Sequence, residues 1–526
     1  MKKKLLGLFF IIAIYNTSHA VTYYVNQSAT GNGNGFSWVN AFPDLQSALS
    51  VAIFGDEIWV AAGTYKPTTT TDINVAFEMR NGVNLYGGFT GTETAINQRN
   101  IDQNPTTLSG DIGQIGSVID NSQSIMRILN LTSDFVLDGF RIISAYDPSG
   151  NGGGIYAEGN QASNITIRNC FFFNNYAYRA GGACFLDESN VTFEDCRFIS
   201  NSSDYNGGGA IYADNVSDSN LYFYRCEFIG NTGDIPVITF DGPELIMDRC
   251  IINNNTANSR DIIVVGTDTT NFQLTNSLIV GNLVTSSSSK IISTYCSTFD
   301  AINFVNVTIA HNRNSSSIGA TTEPVRSYNR GININNCIIY GNTSYNLRQI
   351  DSGNYINNSI IEGGYGTGTN VMNIDPLFAN APSLNNSPFD LSSYDYSLTT
   401  ASVAVNAGDN TRIIAGFEQD VYGNTRIQHG TVDLGAIESP FSLSVGEFDK
   451  LAAFDVYPNP VDTTLNINTD VVMTQISIYD LNGSKIYTTI ANSTHKIIDV
   501  GELSSGIYFV KVQTNTGTQT QKLIKK

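Results

Sequence analysis

One eleven-residue phrase recurs along the middle of the chain and limits the fold more than any other feature. Seven copies lie between Ile165 and Asn342, and a weaker copy follows at Asn354–Gly364. The sixth positions of successive copies are 26, 30, 24, 27, 30, 30 and 22 residues apart. A fixed phrase at variable intervals indicates constrained strands joined by loops of free length. This pattern is typical of a solenoid whose copies stack on one another.

Apolar columns in the phrase show which side chains point inwards. They lie five and three residues before the sixth position and two residues after it. A step of two is strand periodicity, whereas the step of three across the sixth position requires a corner. Asn169, Asn276, Asn306 and Asn336 directly precede the sixth position, and Asn tolerates the left-handed conformation of such a corner. The phrase therefore predicts a parallel β-helix.

A second Asn column ends each phrase and predicts the next turn. Its members are Asn175, Asn201, Asn231, Asn255, Asn282, Asn312 and Asn342. The column at the sixth position holds Cys170, Cys196, Cys226, Cys250 and Cys337, five of the seven cysteines. Free Cys packs as a small apolar residue, which is the preferred interpretation. A disulfide between neighbouring coils is the alternative. Parallel Cβ vectors are a poor geometry for such a bond, and an odd number of cysteines leaves at least one thiol free.

The N-terminus predicts export, and the net charge limits the possible partners. Met1–Ala20 has three lysines, an apolar run and a small-x-small site, which predicts a secretory signal peptide. No later apolar segment reaches the length of a membrane span. Removing the three lysines would move the formal net charge from −19 to −22. This excess argues against nucleic acid and anionic membranes as partners.

The residues before the repeat predict a cap for the solenoid. Asp44 followed by Leu45, Ala48, Leu49 and Ala52 indicates a capped, amphipathic short helix. It would cover strand edges that are otherwise exposed. Further coils are expected at Glu57–Tyr65, Gly82–Phe89 and Phe135–Ala145, with Phe140 at the sixth position of the last. Glycine-rich segments form a second face between phrases, at Gly152–Tyr156, Gly181–Phe185 and Gly207–Tyr212.

These repeats resemble those of the chlamydial polymorphic outer-membrane proteins and related adhesin-like β-helices. The start (YYVNQSATGNGNGFSWVNAFPDLQSAL) and the end (NIDPLF, VNAGD and VDLGAIE) resemble the choice-of-anchor Q class of secreted β-helix proteins. The resemblance spans most of Val21–Glu438 and implies a right-handed parallel β-helix on the cell surface, without implying a reaction. The passenger domain is accordingly placed at residues 21–439.

A small β domain is predicted after a linker at residues 440–453. Four segments with alternating apolar and polar residues indicate an immunoglobulin-like β-sandwich over residues 454–526. They are Thr464–Ile467, Gln475–Asp480, Lys485–Ile490 and Gly506–Gln513. Four features of this segment resemble the type A sorting domain of type IX secretion. They are YPNP at Tyr457–Pro460, DLNG at Asp480–Gly483, GIY at Gly506–Tyr508 and the basic end. The resemblance implies export across a Gram-negative outer membrane and removal of the domain by a sortase-like protease. A carbohydrate-binding sandwich is the alternative.

No catalytic, cofactor-binding or metal-ligating residue is assigned from the sequence. A lyase on this scaffold needs a proton-abstracting base and usually clustered carboxylates holding Ca²⁺. The outward column two residues before the sixth position contains no such cluster. Carboxylates in the loops remain candidates: Asp187, Asp195 and Asp214, with Arg225 as a basic partner. A solvated face is the simpler interpretation of these charges.

The sequence is therefore interpreted as a non-catalytic, exported β-helix protein, adhesin-like or glycan-contacting. A polysaccharide lyase or glycoside hydrolase is the alternative. Outward aromatic side chains could stack on sugars: Phe171, Phe173, Tyr176, Tyr178, Tyr222 and Tyr224. Because the chain is acidic and shows no basic cluster, we expect no lyase activity on pectin or alginate, with or without Ca²⁺. We likewise expect glycan affinity to be for neutral sugars and largely insensitive to salt.

Overall fold

The structure is a computed structural model that divides into two compact units, between Ser442 and Leu443. It describes residues 20–205, 207–214, 219–234, 236–266, 269, 271–296, 302–315, 323–344, 347–382, 389–441, 454–481, 484–515 and 517–526. Residues 1–19 of the expected signal peptide and residues 442–453 of the expected linker lie outside these ranges. None of the described helices is both long and apolar enough to cross a membrane.

The first unit is a parallel β-solenoid of about nine turns, as the repeat predicts. Strands before the corner stack in register as ladder 1. In stacking order they are Thr22–Val25, Glu57–Ala61, Asn84–Phe89, Phe135–Asp138, the second half of Ile155–Arg168, the second half of Cys184–Glu194, Leu221–Tyr224, Glu244–Asp248, Asn271–Thr275, Ile302–Val305, Asn333–Asn335, Tyr355–Ile361 and Thr369–Met372.

Ladder 2 follows the corner. It consists of Gly63–Tyr65, Thr106–Ser109, Phe140–Ile143, Phe171–Phe173, Arg197–Ile199, Glu227–Ile229, Ile251–Asn253, Leu278–Val280, Thr308–Ala310 and Ile338–Tyr340. Ladder 3 lies beyond the Asn turn. Its two-residue strands are Tyr146–Asp147, Tyr176–Ala177, Ser202–Ser203, Thr232–Gly233, Thr256–Ala257, Leu283–Val284 and Arg313–Asn314.

Ladder 4 completes each coil and contains the strands that follow the glycine-rich segments. They are Phe77–Glu78, Met126–Leu129, the first halves of Ile155–Arg168 and Cys184–Glu194, Ile211–Asp214, Ile238–Asp241, Ile263–Val265, Ile292–Thr294 and Val325–Ser327. A side chain at Gly153 would meet the Gly182 and Tyr176 carbonyl oxygens at 2.7 Å. Glycine there lets neighbouring coils approach closely.

The predicted inward columns and the predicted corner are confirmed. Ile167, Phe193 and Phe223, all three residues before the sixth position, are fully buried in one continuous core. The residue before the sixth position has a left-handed φ between 44° and 57° in all eight copies, including Asp195, Arg225 and Arg249. The left-handed residue of the second turn, such as Asn174 or Gly230, directly precedes the buried Asn.

That second Asn column forms a buried hydrogen-bonded ladder. The Asn231 amide donates to the Phe198 carbonyl at 2.7 Å and to Asn255 Oδ1 at 2.9 Å. Its own Oδ1 accepts from the Asn201 backbone and side-chain N–H groups, each at 3.0 Å. Gln349 accepts from Asn342 at 2.9 Å at the end of the ladder. Each Asn therefore satisfies polar groups of two neighbouring coils.

The cysteines pack as buried free thiols, in agreement with the preferred interpretation. Cys196 accepts, through its carbonyl, the N–H of Glu227 on the next coil, and Cys170 accepts that of Arg197. Successive coils therefore bring the sixth-position cysteines side by side. Burial raises the pKa of the Cys196 thiol well above its ordinary value, which keeps it protonated and unreactive.

The N-terminal helix forms as predicted. It covers Leu45–Val51, and Asp44 caps it by accepting from the Ser47 backbone N–H at 2.8 Å. Leu45, Ala48 and Leu49 are buried against the first strands of the solenoid. Short 3₁₀ helices lie at Ile96–Gln98, Leu391–Ser393 and Asn410–Arg412.

Residues 373–382 and 389–441, here called the strap, return along the outside of ladder 2. They include an antiparallel strand pair, Phe378–Asn380 with Asp395–Leu398. Phe389 and Tyr396 pack on the outward side chains of Leu278 and Val280. The amides of three corner residues donate to strap carbonyls at 2.9–3.1 Å, namely Asn276 to Phe417, Asn306 to Asp433 and Asn336 to Asp409.

The second unit is a small antiparallel β domain with its own core. The strands described in this unit belong to one sheet: Asp455–Tyr457, Thr464–Tyr479, Lys485–Asp499, Gly506–Thr514 and Gly517–Lys525. The two strands predicted at Thr464–Ile467 and Gln475–Asp480 are one long strand, because register shifts after Asn468 and Met473 let it bend without ending. The terminal strand was missed because its polar residues give little alternation.

Candidate functional site

The outward column of ladder 2 changes character along the solenoid. In stacking order it reads Thr107, Arg141, Phe171, Arg197, Glu227, Ile251, Leu278, Thr308 and Ile338. The strap covers the apolar second half from Leu278 onwards. The charged and aromatic first half is left open to solvent, so it is the part of this face that a ligand can reach.

A groove of about 810 Å³ lies on this open half, and we call it the arginine groove. One wall is the segment from Ile96 to Thr106, and the floor comes from the corner and ladder 2. Phe171 lines the groove and stacks on Phe173, with ring centroids 5.7 Å apart and planes 16° apart. Aromatic faces beside amide side chains, here Asn97 and Asn169, are suited to hold a sugar ring.

Three arginines line the arginine groove. Arg99 is largely buried and donates to the Gly87 carbonyl at 3.0 Å and to the Asp138 carboxylate at 2.5 Å. Arg197 donates to Glu227 at 2.7 Å. Arg141 is exposed and has no ion pair within the described part of the chain. Three arginines therefore meet at one groove, because side chains 42 to 56 residues apart in the sequence lie on coils that stack along the solenoid. Two of the three are paired with carboxylates, so the groove is not a basic cluster.

Two of the carboxylate and arginine candidates from the sequence are brought together, and they neutralise each other. Arg225 donates to both oxygens of Asp195, at 2.6 and 2.7 Å. The hydrogen bond to Asp195 raises the pKa of Arg225 above its ordinary value. An arginine held in this way remains protonated and is not a proton-abstracting base.

Asp187 and Asp214 lie elsewhere, on ladder 4. The strand register aligns four acidic residues on successive coils, which form an acidic column: Glu158, Asp187, Asp214 and Asp241. The side chain of Asp214 lies outside the described residues. The column lies outside the eleven-residue phrase, so the alignment of that phrase does not reveal it. The strands IYAE, CFLD, IYAD and ITFD would have revealed it.

An aromatic column runs beside the acidic one. Phe185 stacks on Tyr156 at 5.3 Å and on Tyr212 at 5.6 Å between ring centroids. The Tyr156 hydroxyl donates to Glu158 at 2.7 Å. The described Asp, Glu, His and Cys side chains contain no group of three that could hold a metal ion.

The other predicted aromatic side chains are only partly available. Tyr222 donates to Glu244 at 2.6 Å, and Tyr176 donates to Asp204 at 2.8 Å. Tyr224 stacks on Phe417 of the strap at 6.4 Å. Phe173 and Tyr178 are the most exposed, at 39% and 40%. Of these rings, only Phe171 lines the arginine groove.

Two family matches agree with the fold. Residues 81–299 match the family described as right handed beta helix region. Residues 455–526 match the family described as secretion system C-terminal sorting domain. No curated protein matches the sequence.

Solved structures with a similar course of the chain include three sugar-related proteins. Pectate lyase Pel9A has 15% identity and a TM-score of 0.34, over 80% of this chain and 97% of its own. A rhamnogalacturonan lyase has 12% identity and a TM-score of 0.34, over 78% and 96%. XylC in complex with xylose has 11% identity and a TM-score of 0.30, over 80% and 99%. At these values no activity is transferred from them.

The chain is a β-helix protein with a type IX sorting tail. The tail means that the type IX secretion system handles the protein, which is secreted or placed on the cell surface. The arginine groove is therefore carried outside the cell with the exported protein.

Proposed function

We propose that this protein is a non-catalytic, adhesin-like β-helix that binds glycans outside the cell. The observation that supports the proposal is the arginine groove, with Phe171 on its floor and amide and guanidinium groups around it. Aromatic rings stack on the apolar faces of sugars, and the polar groups hydrogen-bond the hydroxyls. The extended solenoid surface suits an oligosaccharide better than a small metabolite.

Two carboxylates at the groove, Asp138 and Asp195, are held by internal contacts, which favours binding over bond cleavage. Asp138 is fully buried and receives hydrogen bonds from Arg99, Arg168 and Asn169, at 2.5 to 2.9 Å. Asp195 is occupied by Arg225. A carboxylate engaged in this way positions the corner and is poorly placed to act as an acid or base on a substrate.

We also propose a route to the surface. The N-terminal signal leads the chain through the inner membrane of a Gram-negative cell, and the tail directs it across the outer membrane. A sortase-like protease then removes residues 454–526, leaving the passenger attached to the cell or released. Its surface placement would let the groove meet glycans of other cells or of the surrounding matrix.

A glycan screen with the secreted protein tests the binding function. We expect binding of a subset of saccharides without release of reducing ends or unsaturated products. Replacing the groove ring together with the ring stacked on it, Phe171→Ala with Phe173→Ala, should weaken that binding at least tenfold. The matched control is Tyr205→Ala, which removes an exposed ring at a distant position and should leave affinity unchanged. Steady product release would instead establish the lyase or hydrolase alternative.

A further inference from the structure

The arginines at the corner and on ladder 2 differ in one respect, which is whether the fold already neutralises them. Arg99 and Arg168 share Asp138, and Arg225 pairs with Asp195. Arg197 pairs with Glu227, and Arg249 pairs with Asp248. Arg141 lies in the same region, is exposed, and has no described carboxylate or carbonyl partner. It is therefore the guanidinium of the groove that can receive an anion without breaking an internal contact.

The position of Arg141 fits an anionic group on a sugar. Ladder 2 pairs Arg141 with Phe171 and Phe171 with Arg197, so the arginine lies one coil from the aromatic ring. One strand step is about 4.8 Å, which is within the reach of a substituent on a ring stacked over Phe171. The rest of the groove offers the amides of Asn97, Asn100 and Asn169 for the hydroxyls. Its lining also contains the carboxylates Asp102 and Asp195, of which Asp195 is paired with Arg225.

We propose that the arginine groove selects saccharides carrying a carboxylate, and that Arg141 is the residue that receives it. The inference rests on the proposed glycan-binding function and deepens it. A guanidinium binds a carboxylate with two parallel hydrogen bonds, a geometry that a hydroxyl group cannot offer. The formal net charge of −19 repels long polyanions. The groove therefore suits short or sparsely charged acidic saccharides, which replaces the expectation of neutral sugars.

A matched pair of probes tests this selectivity. Binding of tetragalacturonate and of its fully methyl-esterified form to the full-length protein would be measured by calorimetry at one ionic strength. We expect the acid to bind about tenfold more tightly than the ester, because only the acid makes the charge-assisted bond. Arg141→Gln should reduce this preference to less than about twofold while leaving ester binding unchanged. Arg141→Lys should retain part of the preference, because lysine keeps the positive charge but lacks the two parallel N–H donors of the guanidinium.

Arg260→Gln is the matched control, since it removes an exposed arginine that does not line the groove, and it should keep the full preference. The inference is overturned if acid and ester bind equally, or if Arg141→Gln keeps the preference. The inference is also overturned if neither probe binds. The proposed glycan-binding function is tested separately, by the glycan screen. Unchanged melting temperatures of the variants would show that the fold is intact.

Discussion

At the scale of single residues, asparagine has two separate tasks in this solenoid. At the corner, Asn169 and Asn276 supply a left-handed backbone, with φ of 51° and 49°. At the second turn, Asn231 and Asn255 are fully buried and bond to the coils above and below. The first task depends on backbone conformation and accepts Asp195 or Arg225. The second depends on the amide group and has no substitute among its seven members.

Replacing Asn231 with Ala should therefore destabilise the solenoid strongly. The change leaves the Phe198 carbonyl and the Asn201 N–H buried without partners. We expect a loss of about 3 kcal/mol in the free energy of unfolding. Asn258→Ala removes an exposed amide from the neighbouring coil and should cost less than about 0.5 kcal/mol. Equal losses in chemical denaturation would contradict the ladder as a source of stability.

The cysteines allow a second test at this scale. All seven are buried, and burial raises the pKa of Cys296 and Cys337 to about 12. We expect no thiol to react with a disulfide reagent in the native protein at pH 8, and all seven to react after unfolding without reductant. Fewer than seven reactive thiols in the unfolded chain would reveal a disulfide between coils.

At the scale of elements, the strap decides which part of ladder 2 is accessible. Its packing contains a fully buried Arg426, which donates to the Gly435 carbonyl at 2.7 Å. Burial raises the pKa of the nearby Glu438 to about 8. His311 lies beneath the strap, with its ring centroid 6.2 Å from Phe378 and 5.7 Å from Tyr396. Polar side chains under the strap are thus buried with few hydrogen-bond partners. The packing of the strap on the solenoid is therefore sensitive to the charge of these side chains.

Acid should loosen the strap through His311. Burial lowers the pKa of this imidazole to about 4, whereas the unfolded side chain titrates near its ordinary value of about 6.5. Because the open form binds the proton more readily, the stabilisation that depends on neutral His311 falls by up to about 3 kcal/mol as pH drops from about 6.5 to 4. Protonation of Glu438, whose pKa is raised to about 8, stabilises the docked strap over the same range and opposes this loss. Hydrogen exchange of strap amides on acidification should therefore rise more in the native protein than in His311→Gln.

His311→Gln should flatten that part of the pH dependence, because the titrating group is gone. His429→Gln is the control, since this exposed histidine lies away from the rings that enclose His311. A pH profile that is identical in the native protein and in His311→Gln would assign the effect to other groups.

At the scale of the whole molecule, two units have separate cores. Buried residues from Phe454 to Leu523 form one cluster, and the solenoid residues form another. The sorting motifs lie within the second unit. Each unit therefore contains the apolar burial that stabilises it, and we expect the solenoid to fold without the tail.

Deleting residues 454–526 should leave a folded passenger that no longer leaves the cell. We expect the truncated protein to accumulate in the periplasm, with a circular dichroism melting temperature within a few degrees of the full-length protein's. Fractionation and immunoblotting would locate it. Wild-type amounts of truncated protein in the medium or on the surface would contradict the role of the tail in export.

The sequence by itself determined the parallel β-helix, its inward columns, its corners and its tail. These follow from local periodicity, because one coil repeats the same requirements of burial and backbone conformation as the next. The arginine groove and the strap depended on tertiary structure. Arg141 and Arg197 lie on either side of Phe171 only when coils of unequal length stack, and Leu278 is buried only when the strap returns over it. Variable loops hide such contacts, since the sequence does not show which outward side chains they bring together.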